Sequence, residues 1–180
     1  MNPQPVIQAT RRWVEDVVID LNLCPFARRE LVKDRVRFAV TPAQTEDTLL
    51  EALHHELLTL ADNGDIETTL LIHPQVLTDF EVYNEFLATA DGLIQMLDLE
   101  GIIQIASFHP DYQFADTDPD AAENYTNRSP YPMLHLLREA SLERAIDQYP
   151  DTEAIPQQNI ERVEALGEPS MKALLAACRQ

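Results

Sequence analysis

Short apolar segments alternate with helical patterns along the first 110 residues, and this alternation constrains the fold more than any other feature. Strands are predicted near 35–40, 67–73 and 102–108, where apolar residues either alternate with polar ones or run almost continuously. Spaced leucine and aromatic residues predict helices between them, near 49–60 and 80–97. Strands that alternate with helices favour right-handed crossovers and a parallel or mostly parallel sheet.

Further helices are predicted on both sides of this region. Their expected positions are about 5–22, Pro25 to Lys33 with Cys24 as the N-cap residue, Pro130 to Gln148 with Ser129 as the cap, and two pieces within 156–178. The element order is therefore α-α-β-α-β-α-β-α-α. This order predicts an α/β fold with a small three-stranded, mostly parallel sheet flanked by helices. We expect residues 1–180 to form a single globular domain.

Composition excludes several classes of function. The formal net charge of −18 repels phosphate backbones and anionic lipid, so no nucleic-acid or membrane-surface partner is expected. The four glycines lie too far apart for a phosphate-binding loop or a dinucleotide-binding turn. A secretory signal, a membrane-spanning run and a CxxC pair are all missing, so a cytoplasmic protein is expected. The sequence leaves the oligomeric state open.

Two histidines follow two predicted strands at matching places, in Ile72-His73-Pro74 and Phe108-His109-Pro110. On parallel strands both side chains would lie at the carboxyl edge of the sheet, where open α/β folds bind ligands. His73, His109 and Asp111 are therefore candidate ligands of a divalent metal, the one cofactor that the pattern indicates. His109 and Asp111 are equally candidates for a catalytic acid and base. Alternatively, the histidines only terminate the strands.

A candidate anion site follows in the sequence. Arg128 and Asn127 precede the predicted helix that begins at Ser129, and a helix N-terminus beside a guanidinium group favours a negatively charged substrate. His135 and Arg138 lie one turn apart on the same predicted helix, as a catalytic and a substrate-binding candidate. Alternatively, the arginines pair with acidic residues of the loop 109–129. The aromatic residues of that loop predict an ordered segment over the sheet edge.

Cys24 is the third candidate, as a catalytic nucleophile. A thiolate at a helix start is stabilised by unpaired amides, and Arg28 and Arg29 add positive charge nearby. A buried, unreactive cysteine is the commoner outcome.

Three segments carry a resemblance to a known family: Asn22-Leu23-Cys24-Pro25-Phe26-Ala27, the seven residues 108–114, and Asn127-Arg128-Ser129-Pro130-Tyr131-Pro132. Over essentially its whole length the chain resembles a family of uncharacterised bacterial proteins, domain of unknown function 1415. The resemblance implies a bacterial protein of about one domain. It carries over no activity, cofactor or catalytic residue.

Three hypotheses about function remain. The first is an enzyme that acts on a small polar or anionic molecule through the His/Asp site. The second is a protein that binds a ligand or cation without turnover. The third is a thiol-dependent enzyme that uses Cys24, with one of the histidines as its base.

Overall fold

The computed structural model describes residues 1–149 and 151–180. Within these residues the strands β1 (Val36–Val40), β2 (Thr68–Ile72), β3 (Ile103–Phe108) and β4 (Met133–Arg138) form one sheet in the order β1-β2-β4-β3. The three strands predicted from the sequence therefore exist and share a sheet. They run in the same direction, because β1 is parallel to β2 and β4 is antiparallel to both β2 and β3.

The fourth strand is the main correction to the expected fold. The helix predicted from Pro130 to Gln148 is wrong in its first half: β4 occupies that half, and only α5 (Glu139–Gln148) is helical. Proline at 132 restricts Tyr131 to extended backbone, which opposes a helix start there. Leu134 and Leu136 then point to one face of the sheet and Met133 to the other, so β4 is buried on both sides. The sheet is therefore four-stranded and mixed.

One face of the sheet is covered by the two crossover helices, α3 (Glu46–Asp62) and α4 (Phe80–Met96). Leucines of α3 and aromatic residues of α4 pack on alternate residues of the strands, among them Leu71 and Leu134. Thr45 caps α3 through its side-chain oxygen, and Asp79 caps α4 by accepting from two amides. The positions of both helices agree closely with the predicted segments.

The opposite face is covered by the chain ends. A long N-terminal helix consists of α1 (Gln4–Arg12) and a wider π segment (Trp13–Ile19). It lies over the sheet with α6 (Ile155–Leu166) and α7 (Glu168–Ala177), so the fold has three layers. The helix predicted at 5–22 is thus present, but its second half is a π-helix. Such segments are rare and often lie at functional sites.

A short helix, α2 (Ala27–Val32), follows the N-terminal helix. Its N-cap residue is Phe26, so the assignment of Cys24 as the cap is wrong. Cys24 lies in the preceding turn, where its carbonyl accepts from the amide of Ala27 at 3.3 Å. The proline at 25 is therefore part of the turn and not the first helical residue.

The segment between β3 and β4 is ordered by an internal hydrogen-bond network. Asn124, fully buried in a 3-10 helix (Ala122–Thr126), accepts from the Phe114 amide at 2.9 Å and from the Thr117 hydroxyl at 3.0 Å. Its own amide group donates to the carbonyl of Asp118 at 2.9 Å. One buried asparagine thus holds three points of the loop together.

In the part of the chain that the structure describes, no helix is both long enough and apolar enough to cross a membrane.

Candidate functional site

The two sheet-edge histidines do not lie on neighbouring strands, because β4 separates β2 from β3. His73 and His109 are both fully buried and flank the ring of Tyr83, with ring-centre distances of 5.9 and 5.1 Å. The Tyr83 hydroxyl donates to the Met133 carbonyl at 2.8 Å and accepts from the Phe108 amide at 3.0 Å. The three aromatic rings therefore join the ends of the strands to α4.

Both ring nitrogens of His109 are engaged by the backbone. Nε2 donates to the Leu77 carbonyl at 3.1 Å, and Nδ1 accepts from the Asp111 amide at 3.0 Å. Burial lowers the pKa of His109, so the ring is neutral near pH 7. Neither nitrogen is left for a metal or a substrate in this conformation.

His73 is engaged on one side only. Its Nδ1 donates to the Val76 carbonyl at 2.9 Å, whereas Nε2 has no hydrogen-bond partner among the described residues. Burial lowers the pKa of His73 to about 4. Across residues 1–149 and 151–180, no three His, Cys, Asp or Glu side chains are arranged to hold a metal ion. The structure thus does not gather His73, His109 and Asp111 into a ligand set.

The residues expected to bind an anion make internal contacts instead. Arg128 donates to the carbonyls of Tyr112 at 3.1 Å and Pro119 at 2.7 Å, and its guanidinium group lies over the Tyr125 ring. Asn127 donates to the Ser107 carbonyl at 3.1 Å. Arg128 therefore holds the loop through backbone carbonyls, and the expected pairing with loop carboxylates is not the contact observed.

Ser129 and Arg138 are likewise occupied. The buried Ser129 hydroxyl donates to the Tyr131 carbonyl at 2.7 Å, and extended backbone follows where a helix N-terminus was expected. Arg138 donates to three carbonyls around the end of α3, including Ile66 at 3.1 Å and Asn63 at 2.8 Å. The prediction that His135 and Arg138 share one face of a helix is wrong, because both lie on strand β4, although both line the cavity described below.

Cys24 and His135, two of the expected catalytic residues, are brought to one place. Both line a cavity of about 290 Å³ between the sheet and the helices that cover its second face. We call it the inter-layer cavity. Its walls are mostly apolar, with side chains from Trp13, Val14, Val18, Phe26, Ala27, Val36, Leu70, Phe108, Leu137, Leu142 and Ala145. Arg138, a substrate-binding candidate from the sequence, also lines the cavity, together with Glu30, Glu67, Thr68 and Ser141. The π segment, α2, the sheet and α5 thus each provide one wall.

The π segment explains part of the cavity wall. Its backbone bonds span five residues, as in the Leu23 amide donating to the Val18 carbonyl at 2.8 Å. The wider turn aligns Trp13, Val14 and Val18 on the side that faces the cavity. Trp13 is fixed there by its indole N–H, which donates to the Arg128 carbonyl at 3.1 Å. Its ring contacts Phe108 edge-on, with ring centres 5.1 Å apart.

A few polar groups interrupt the apolar lining. The Thr68 hydroxyl donates to the Leu136 carbonyl at 2.6 Å, so its oxygen accepts from Nε2–H of His135 at 2.7 Å. This tautomer leaves Nδ1 of His135 as an acceptor. Although part of the ring borders the cavity, protein surrounds it, and burial lowers the pKa of His135 to about 4. His135 is therefore a neutral acceptor near pH 7.

The surroundings of the Cys24 thiol favour its thiolate less than its position before a helix suggests. Burial raises the pKa of Cys24, and the amides of Phe26 and Ala27, which favour the thiolate, offset this only in part. The side chain is half-buried, whereas Cys178 is fully buried. Cys24 is thus a protonated thiol at neutral pH that still faces the cavity.

Most residues of the inter-layer cavity were not recognised from the sequence. They come from segments as far apart in the sequence as Trp13 and Ala145. In addition, apolar side chains that face a cavity follow the same sequence periodicity as those that face a packed core. The sequence carries no motif that singles out Trp13 or Thr68. Among the lining residues, Cys24, His135 and Arg138 are the candidates that the sequence indicates, and for chemistry other than the packing of an apolar ligand.

Comparisons with known proteins identify a family. A family described as "Protein of unknown function (DUF1415)" matches residues 5–173, nearly the full length of the chain. Neither the curated proteins nor the solved structures include a match.

Proposed function

We propose that the chain, which belongs to DUF1415, a family of proteins of unknown function, binds a small, mainly apolar molecule in the inter-layer cavity. The observation that carries the proposal is the cavity itself, with its volume of about 290 Å³ and its apolar walls. Ligand pockets of proteins begin at roughly this size and have mainly apolar linings with a few placed polar groups.

The volume sets the size of the ligand. A cavity of about 150 Å³ lined by aliphatic and aromatic side chains accommodates benzene. The inter-layer cavity has about twice that volume, which corresponds to a ligand of roughly twelve non-hydrogen atoms. Protein interiors are otherwise close-packed, so apolar walls of this extent lack the contacts that a bound apolar molecule would supply.

The sheet-edge histidines support a different role. Both nitrogens of His109 are bonded to the backbone, and His73 is fully buried with a pKa of about 4. Such groups hold strand ends and the following loop together more readily than they exchange protons with a substrate. The His/Asp chemistry that the sequence suggested is therefore not what we propose.

Thiol chemistry at Cys24 is the second candidate, favoured by one observation. Cys24 and His135 line the same cavity, so an electrophile bound there would have both a thiol and a neutral imidazole in its walls. The raised pKa of Cys24 opposes attack on the ligand unless a base removes the proton. Binding without turnover needs no such step, and we rank it first.

A cavity-filling variant tests the proposal. Ala145 lines the cavity from α5, whereas Ala140 lies on the same helix, is exposed and does not line it. We expect Ala145→Phe to abolish binding of 1-decanol and Ala140→Phe to retain it. Binding is measured by calorimetry and by the fluorescence of Trp13, the only tryptophan of the chain, which lines the cavity.

Saturable binding with one site in the wild type, lost in Ala145→Phe and kept in Ala140→Phe, supports the proposal. Wild-type protein that binds no ten-carbon probe at millimolar concentration contradicts it. Equal binding by both variants also contradicts it, because the ligand would then lie elsewhere.

A further inference from the structure

A second, polar hollow adjoins the inter-layer cavity. It has a volume of about 330 Å³ and we call it the outer hollow. Phe26, Glu30, Glu67, Ser141 and Ala145 line both spaces, so the two share a wall. The outer hollow lies between α2 and α5, and its remaining lining is mainly polar. An apolar space and a polar space thus lie side by side.

The outer hollow concentrates positive charge. Arg29, Arg35 and Arg144 line it, against the carboxylates Glu30 and Glu67. Three positive charges thus face two negative ones, in a chain whose 13 lysines and arginines stand against 31 acidic residues. A local excess of positive charge is therefore contrary to the composition of the whole protein.

The ion pairs divide these arginines into two kinds. Arg35 contacts both Glu30 and Glu67, and this pairing fixes the two half-buried carboxylates. Among the described residues Arg29 pairs with Glu30 alone, at 3.3 Å, and its side chain is exposed. Arg144 donates to the Ser141 hydroxyl at 2.8 Å and pairs with no carboxylate in the described chain. Arg29 and Arg144 therefore retain donors for an added anion.

We propose that the ligand is an anionic amphiphile, with its chain in the inter-layer cavity and its carboxylate in the outer hollow beside Arg29 and Arg144. This inference rests on the proposed function and adds the class of ligand. His135 supports the orientation: its free acceptor Nδ1 faces an anion unfavourably, so the charged end lies outside. The chain of a ten-carbon carboxylate, without its head group, has about nine non-hydrogen atoms, which is within the roughly twelve that the cavity volume accommodates.

Three probes with the same chain and different head groups test the charge selection: decanoate, 1-decanol and decyltrimethylammonium. The net charge of −18 favours a cation at long range, so a preference for the anion requires a local site. We expect decanoate to bind more tightly than decyltrimethylammonium by about tenfold at moderate salt, where the long-range attraction of the cation to the net charge is screened more than contacts with the arginines.

Variants assign the effect to particular arginines. In the double variant Arg29→Gln/Arg144→Gln we expect decanoate to bind about fivefold more weakly, from two exposed ion pairs lost, with 1-decanol unchanged. Arg28→Gln is the matched control, because Arg28 is an exposed arginine of α2 that pairs with Asp20 and lines neither space. Arg28→Gln should change the Kd of decanoate and the Kd of 1-decanol by no more than about twofold each.

The outcomes separate the two proposals. If decanoate and 1-decanol bind equally in all variants, the cavity function stands and the anionic class is overturned. If decyltrimethylammonium binds more tightly than decanoate, the anionic class is likewise overturned. If none of the three probes binds, both proposals fail.

Discussion

Replacing His109 by alanine distinguishes a structural histidine from a functional one. The imidazole bridges Leu77 and Asp111 and packs against the rings of Phe80 and Tyr83, at 5.4 and 5.1 Å between ring centres. Leu77 is buried and has a φ of 54°, a left-handed conformation that costs a leucine energy. Its carbonyl is held in that conformation by Nε2 of His109.

The magnitude follows from these contacts. An unpaired, buried Leu77 carbonyl costs about 1–3 kcal/mol, and the space left by the ring costs about 1–2 kcal/mol more. We therefore expect His109→Ala to lower the free energy of unfolding by about 3–4 kcal/mol. For a chain of this length that corresponds to a fall in Tm of about 10 °C.

Calorimetric melting of His109→Ala and of His54→Ala provides the assay. His54 is an exposed histidine of α3, and its replacement should change stability by less than about 0.5 kcal/mol. At a temperature where His109→Ala is folded, it should bind 1-decanol like the wild type. A variant that melts like the wild type but no longer binds ligand would refute the reasoning and return His109 to the functional site.

Three further predictions concern other groups. Because the pKa of His73 is lowered from 6.5 to about 4, its contribution to stability is present above pH 6.5 and is lost as pH falls towards 4. In urea titrations between these pH values, His73→Gln should reduce the slope of the unfolding free energy against pH by about 1 kcal/mol per pH unit. Iodoacetamide should modify the half-buried Cys24 faster than the buried Cys178, and decanoate should slow the modification of Cys24. Mass spectrometry of the modified peptides measures both rates. Asn124→Ala should expose the loop 109–129 to limited proteolysis and lower stability by about 2 kcal/mol in thermal melts.

The parts of the fold that the sequence predicted well are those with a strong local pattern. The strands at 36–40, 68–72 and 103–108 each carry apolar residues that alternate with other residues or run almost continuously, and polar or proline residues follow each strand. Their common direction followed from the helices between them. The helix α3 followed from the regular spacing of its leucines, and its end from Asn63.

The fourth strand was missed because two patterns overlap in one segment. Met133-Leu134-His135-Leu136-Leu137 is almost continuously apolar, as a central strand is, but it is followed directly by the helical pattern of α5. The prolines at 130 and 132 carry the information that separates the two, because the residue before each is biased to extended backbone. Without β4, His135 falls on a helix, and His73 and His109 follow neighbouring strands. In the structure β4 carries His135 within the sheet and separates β2 from β3.

The candidate site could be predicted only in fragments. Cys24 and His135 were singled out by residue type, yet their meeting in one cavity depends on β4 and on the packing of the N-terminal helix across the sheet. Arg128 is an anion-site candidate in the sequence, but its partners in the structure are backbone carbonyls, which no sequence pattern reveals. Tertiary contacts between distant segments determine both results.

A crystal structure with 10-bromodecanoate tests the central claim most directly, because the anomalous signal of bromine marks the end of the chain. We predict one bromine inside the inter-layer cavity, near Trp13, Leu70 and Phe108, with the carboxylate towards the outer hollow. Bromine found only outside the cavity, with the cavity walls unchanged, would contradict the proposal that this protein binds its ligand between the sheet and the N-terminal helix.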